Sequence, residues 1–110
     1  MNFINEPLKP KVVLGIAAHP DDLDFGAAGT MAKFAQNGAS VQYLILTDGS
    51  KGSEDPTISH KELARIREDE QRRALENIGG KDITFLQYTD GELEITMQLK
   101  KDIVKAIRSV

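Results

Sequence analysis

The stretch Val12-Val13-Leu14-Gly15-Ile16-Ala17-Ala18-His19-Pro20-Asp21-Asp22-Leu23-Asp24-Phe25-Gly26 runs from apolar residues into a histidine and three aspartates with no spacer. Its first part, Val12 to Ala18, reads as a buried strand. A helical run begins just after, around Gly26 and Gly29. The acidic cluster therefore occupies the turn between a strand and a helix. In open α/β sheets, ligands bind at the carboxyl ends of the strands. Like charges gathered there cost stability unless a cation or a hydrogen-bond network compensates them. His19 and Asp22, three apart in a turn fixed by Pro20, can aim a ring nitrogen and a carboxylate oxygen at one metal ion. Asp21, between them, must then point elsewhere and is free to act on a water. The bland alternative is a solvated turn whose aspartates cap the next helix. It accounts for one aspartate, but not for His19-Pro20 or the second carboxylate.

Working outward, Ala28, Met31, Ala32 and Ala35 recur at helical spacing, and Asn37-Gly38 supplies the stop. The small residues Gly26, Ala27, Ala28 and Gly29 would let the first turn of this helix pack closely on the sheet. The second strand, Val41–Thr47, ends in the loop Thr47-Asp48-Gly49-Ser50-Lys51-Gly52-Ser53. A long helix follows, opened by a capping-box pattern at Ser59 and Glu62 and closed by Gly79-Gly80. Its apolar stripe is Leu63, Ile66, Ala74 and Ile78, and Arg67 and Glu70 fall on or beside it, where apolar side chains are preferred. Either they serve a site, or they form an ion pair at spacing i, i+3. The third strand, Ile83–Tyr88, leads into Thr89-Asp90-Gly91-Glu92. Thr96 could cap a last helix with the stripe Leu99, Ile103, Val104 and Ile107. Upstream, the residues to Pro10 form an irregular lead-in to the first strand, Lys11–Ala18, which is apolar on both faces as a central parallel strand should be.

The order β-α-β-α-β-α predicts an α/β, three-layer Rossmann-like fold with a parallel sheet. Right-handed crossovers place strand one beside strand two and strand two beside strand three. One side of strand one is left unpaired although its sequence is that of an interior strand. Residues 1–110 are therefore expected to be the N-terminal part of a single domain, apparently truncated. A chain of 110 residues, 40% hydrophobic and 28% charged, fits a small soluble unit of this kind. The formal net charge of −3 gives no electrostatic reason to expect nucleic acid or an anionic membrane as partner. Cysteine is absent, which excludes disulfides, iron–sulfur clusters and thiolate zinc sites. The first ten residues lack a charged region followed by an apolar core, so no signal peptide is expected in them, and no apolar run is long enough to span a bilayer. The default expectation is a cytoplasmic protein, open to association as a homo-oligomer through its unpaired strand.

Each loop at the carboxyl edge carries acid: Asp21, Asp22 and Asp24, then Asp48, then Asp90. The topology should converge them on one crevice. A catalytic zinc takes three protein ligands and leaves a position for water, whose acidity it raises. His19 and Asp22 would supply two of the ligands. His60, at the start of the long helix, reads as a solvated surface residue. A receiver-like module binding magnesium through Asp21, Asp22 and Asp90 is the competing class. Against it stand His19-Pro20, since magnesium disfavours nitrogen, and the lack of a lysine loop beyond strand three. A dinucleotide-binding half lacks its G-x-G-x-x-G. A third reading is a non-catalytic fragment that folds only with a missing half.

Ala18-His19-Pro20-Asp21-Asp22, followed by Leu23-Asp24-Phe25-Gly26-Ala27-Ala28-Gly29-Thr30, resembles the opening signature of the PIG-L/LmbE-like zinc N-deacetylases. Thr47-Asp48-Gly49, Arg67-Glu68-Asp69-Glu70-Gln71 and Phe85-Leu86-Gln87-Tyr88-Thr89-Asp90-Gly91 agree in order. The resemblance implies that His19 and Asp22 ligate zinc, or another divalent transition metal. It makes Asp21 the general base toward zinc-bound water, and Arg67 and Asp90 substrate-binding residues. It implies removal of an acetyl or similar acyl group from a small N-acylated sugar or sugar conjugate. Ala28-Gly29 stands where the family usually has Gly-Gly. The family's third ligand comes from a histidine-containing loop after a fourth strand, beyond Val110.

Overall fold

The three apolar runs form β1 (Val12–Ala17), β2 (Ser40–Thr47) and β3 (Asp82–Tyr88) in a computed structural model that describes residues 8–53 and 55–110. Most of the lead-in expected up to Pro10 lies outside the described residues. The strands are parallel, in the order β1-β2-β3. Val12 stands opposite Ser40, Ala17 opposite Ile45, and Gln42 opposite Asp82. β2 is the centre, and the consecutive apolar residues Tyr43, Leu44, Ile45 and Leu46 fit burial on both faces. Val41, Tyr43 and Ile45 meet Leu23, Met31, Phe34, Leu75 and Ile78 on one side. Leu44 and Leu46 meet Leu99, Ile103 and Ala106 on the other. The expected three layers are present, with a parallel sheet between two helical layers.

Among the described residues, four helices complete the unit: α1 (Asp22–Gly26), α2 (Ala28–Gln36), α3 (His60–Asn77) and α4 (Met97–Ser109). Helical structure begins earlier than the residue pattern predicts, inside the acidic cluster at Asp22, and breaks at Ala27, where φ is −145°. Gly26 and Gly29 do not provide close packing, for a side chain at either would meet open space. The close approach is at Gly15, where an added Cβ would stand 3.1 Å from Leu23 Cδ1 and 3.2 Å from the Tyr43 ring. That contact lets α1 rest directly on β1 beside the site.

The expected caps are formed. Ser59 Oγ accepts the Glu62 N–H at 3.1 Å, and Thr96 Oγ1 accepts the Leu99 N–H at 3.1 Å. The helical stripes need correction. In α3, Leu75 and Gln71 are buried and Glu70 is exposed. In α4, Leu99 is buried but Val104 and Ile107 are exposed, because the helix covers only part of its face of the sheet. β1 stands at the sheet edge, and Val12 and Ile16 are exposed where a central strand would bury them. Among the described residues, no helix is long and apolar enough to cross a membrane.

Candidate functional site

Three loops meet at the carboxyl edge of the sheet, and hydrogen bonds join them in series. After β1, the His19 N–H is donated to Asp22 Oδ2 at 3.0 Å, which curls the loop so that side chains 19 and 22 face each other. His19 Nδ1 lies 3.2 Å from the same oxygen. Its other ring nitrogen, Nε2, lies 3.3 Å from Asp90 Oδ1. Asp90 is buried, and its Oδ2 accepts the Lys51 N–H at 3.0 Å. Asp48 Oδ1 accepts the N–H of Ser50 at 3.0 Å and of Asp90 at 3.2 Å, tying the loop after β2 to the loop after β3. The expected convergence of the acidic loops is thus found for Asp22, Asp48 and Asp90, with His19 standing between Asp22 and Asp90.

A β-bulge helps to aim Asp90. Ile45 pairs with Phe85, but Thr47 pairs with Tyr88, so β3 carries one extra residue there. Gln87 takes it up in the left-handed region, at φ 62°. Bulges of this kind redirect the chain beyond them. Gln87 Nε2 also donates to Glu68 Oε1 on α3 at 3.0 Å.

Asp21 turns the other way. It is a left-handed residue, φ 76° and ψ −15°, at the N-cap of α1, and its side chain makes no cap bond. The helix-cap explanation therefore does not apply to it. Arg67 Nη2 stands 3.3 Å from Asp21 Oδ2 and donates to the Pro20 carbonyl at 3.1 Å, while Nη1 donates to the Gly49 carbonyl at 3.4 Å. A Cβ on Gly52 would collide with this guanidinium, and one on Gly49 would crowd its Cδ and Nε at 3.2 Å. The two glycines thus make room for an arginine that clamps the loops after β1 and β2 together.

Gln71, one turn beyond Arg67 and fully buried, was not singled out by the sequence pattern. Its Oε1 accepts the Asp21 N–H at 2.7 Å, and its Nε2 donates to Asp24 at 3.3 Å. The spacing Arg67-Gln71-Leu75, at i, i+4, i+8, is the signal that points to it. Burial pushes the Asp24 carboxyl above its ordinary value; the Gln71 amide offsets part of this and the neighbouring Asp21 adds to it. For Asp48, burial acts upward too, but the N–H groups of Ser50 and Asp90 outweigh it and hold the carboxyl below its ordinary value.

The donor set can be tested against a metal. Two ligands each about 2.0–2.1 Å from a tetrahedral zinc stand roughly 3.3 Å apart. The 3.2 Å between His19 Nδ1 and Asp22 Oδ2 matches that span, and both groups are about half exposed. Imidazole and carboxylate suit zinc and its neighbours. Among the described residues, no group of three or more His, Asp or Glu could hold an ion. The three carboxylates of the magnesium reading do not share a centre, since Asp21 faces Arg67 and His19 stands between Asp22 and Asp90. His60 is exposed at the first position of α3, bordering an open crevice with Asp48, Ser50 and Gln87.

The sequence pattern described as PIG-L: GlcNAc-PI de-N-acetylase matches residues 14–110. A diacetylchitobiose deacetylase of Thermococcus kodakarensis is 45% identical over 106 residues, covering 96% of this chain and 40% of its own length. A 1D-myo-inositol 2-acetamido-2-deoxy-alpha-D-glucopyranoside deacetylase of Kineococcus radiotolerans is 38% identical over 87 residues, or 76% of this chain and 24% of its own. Among solved structures, the N,N'-diacetylchitobiose deacetylase from Pyrococcus horikoshii, complexed with its inhibitor, matches with a TM-score of 0.88 at 39% identity. That match covers 90% of this chain and 37% of the other. The chain spans less than half the length of each of these relatives.

Proposed function

The chain belongs to the PIG-L (GlcNAc-PI de-N-acetylase) family, and from that premise we propose that it forms the N-terminal part of one metal-dependent hydrolase domain. The reaction is removal of an acetyl group from the amine of a small N-acetylated sugar or sugar conjugate. The relatives named above support this substrate class, since their names describe deacetylases of diacetylchitobiose and of an acetamido-sugar. The observation that carries the reading is the division within one turn: His19 and Asp22 face each other at 3.2 Å, and Asp21 faces away from them.

His19 Nδ1 and an Asp22 carboxylate oxygen are the groups that would hold zinc, or another divalent transition metal. The ion, when bound, supplies polarisation of the amide carbonyl and a more acidic water. Asp21 accepts a proton from the attacking water and returns it to the nitrogen as the C–N bond breaks, so the free amine and acetic acid leave, the acid then losing its proton to solvent or to the amine. Arg67, 3.3 Å from the Asp21 carboxylate, fixes its direction. The proposal also gives Arg67 and Asp90 contacts with the sugar. Their polar atoms now face Pro20, Asp21, Gly49, His19 and Lys51, so each must exchange a protein contact to touch substrate. The setting is cytoplasmic.

The test uses the full-length protein with an N-acetylglucosamine oligosaccharide. Asp21→Asn should cut turnover by about 10²–10⁴-fold with zinc content near that of the unmodified protein. His19→Ala should lose the zinc. Equal loss of metal in Asp21→Asn and Asp22→Asn would refute the division of labour.

A further inference from the structure

Gln71 is the one fully buried polar side chain of α3, and both ends of its amide are engaged. Oε1 accepts the Asp21 N–H at 2.7 Å, and Nε2 donates to the two Asp24 carboxylate oxygens at 3.3 and 3.4 Å. The amide cannot be reversed in place. A flip would set Nε2 against the N–H of Asp21 and Oε1 against a carboxylate, two repulsive pairings in a buried site. Asp24 therefore decides which way Gln71 faces, and Gln71 faces its acceptor toward Asp21.

The Asp21 N–H needs an external acceptor. Asp21 is the N-cap residue of α1, where backbone donors have no partner inside the helix. Its φ of 76° lies in a region that a non-glycine L-residue keeps only when its surroundings hold it there. Arg67 holds the neighbouring Pro20 carbonyl and the Asp21 carboxylate. Gln71 holds the backbone of residue 21 itself. Because φ sets the direction of the Cα–Cβ bond, the group on the N–H governs where the carboxylate enters the site.

We propose that Gln71 is a positioning residue, which keeps Asp21 in its left-handed conformation through the backbone N–H and so aims the Asp21 carboxylate. The catalytic half of this rests on the reading of Asp21 as proton acceptor. The structural half stands on the hydrogen bond alone.

The experiment combines amide exchange at Asp21, steady-state kinetics and zinc content, all on the full-length protein. In the unmodified protein, the Asp21 amide should exchange at least about tenfold more slowly than an unprotected amide. Gln71→Met keeps the bulk and removes both hydrogen bonds. It should lose that protection and lower kcat by about 10- to 100-fold, the scale of a small misplacement of a reacting group, with KM within about twofold and zinc content unchanged. Gln71→Glu sets a carboxylate against Asp24 and should fall with it. Adding Asp24→Asn to Gln71→Glu replaces the repelling carboxylate with an amide donor for residue 71 and leaves a carboxylate oxygen to accept from Asp21, and should recover the protection and most of kcat. An unprotected Asp21 amide in the unmodified protein overturns the proposal without any variant. So does wild-type kcat in Gln71→Met, or a double variant no better than Gln71→Glu. If Asp21→Asn itself turns over normally, the proton-acceptor reading fails, and the exchange data alone still decide whether Gln71 holds the backbone.

Discussion

Among the described residues Asp48 makes no hydrogen bond to His19 or Asp22, yet the site depends on it, because its carboxylate accepts the N–H groups that place Ser50 and Asp90. Those bonds hold its carboxyl below the ordinary value against the upward push of burial. The folded state then prefers the ionised form more than the unfolded chain does. The stability this contributes is fully present above the unfolded pKa, near 3.9, and is lost as pH falls through the lower folded value. Asp24 has the opposite sign. Burial raises its pKa, so ionising it costs stability as pH climbs from the ordinary carboxylate value through the raised one. Asp48→Asn keeps an acceptor oxygen but removes the titration. Urea unfolding at a series of pH values should show the acid limb becoming shallower in this variant, with lower stability at neutral pH. An acid limb that superposes on that of the unmodified protein would show that Asp48 does not tie the loops electrostatically.

At the scale of elements, α3 matters most, since it carries both Arg67 and Gln71 to the loop after β1. Its register is set at the N-terminus, where Ser59 Oγ accepts the Glu62 N–H. Ser59→Ala should destabilise the protein by about 1 kcal/mol and Ser59→Gly by only a few tenths, measurable by chemical denaturation. Equal effects of the two substitutions would mean that the cap is not what fixes the helix start. This cap was legible from four consecutive residues, as were the strands, because apolar runs and capping patterns are short-range signals. The candidate donors His19 and Asp22 were legible too, from their spacing around Pro20. Other features were not. The start of α1 inside the acidic cluster depends on Asp21 being held left-handed by Arg67 and Gln71, 46 and 50 residues away in the chain. The spacing Arg67-Gln71-Leu75 hints that Gln71 faces inward, but its partners Asp21 and Asp24 are set only by the fold. The extra residue in β3 is invisible to a period-two pattern, which continues through Leu86-Gln87-Tyr88 as though the ladder were regular.

Across the whole molecule, the two faces of the sheet are unequally covered. The Leu23–Leu75 layer spans all three strands, drawing on Val13 and Ala17 of β1, Val41 and Tyr43 of β2, and Ile83 and Phe85 of β3. On the opposite face α4, with Leu93 beside it, packs over Leu14 of β1, Leu44 and Leu46 of β2, and Leu86 of β3. It leaves Val12 44% and Ile16 40% exposed at the β1 end, next to a strand edge with no partner in the three-stranded sheet. An apolar strand edge with open N–H and C=O groups is a template for pairing with another chain. A 110-residue polypeptide of this sequence should therefore self-associate, and do so more as concentration rises. Ile16→Lys places a charge on the open face beside that edge without touching the Leu23–Leu75 layer, and should shift the population toward monomer. Sedimentation velocity over a hundredfold range of concentration would read both effects. A single monomeric species throughout, or an association unchanged by Ile16→Lys, would show that the β1 edge does not drive it.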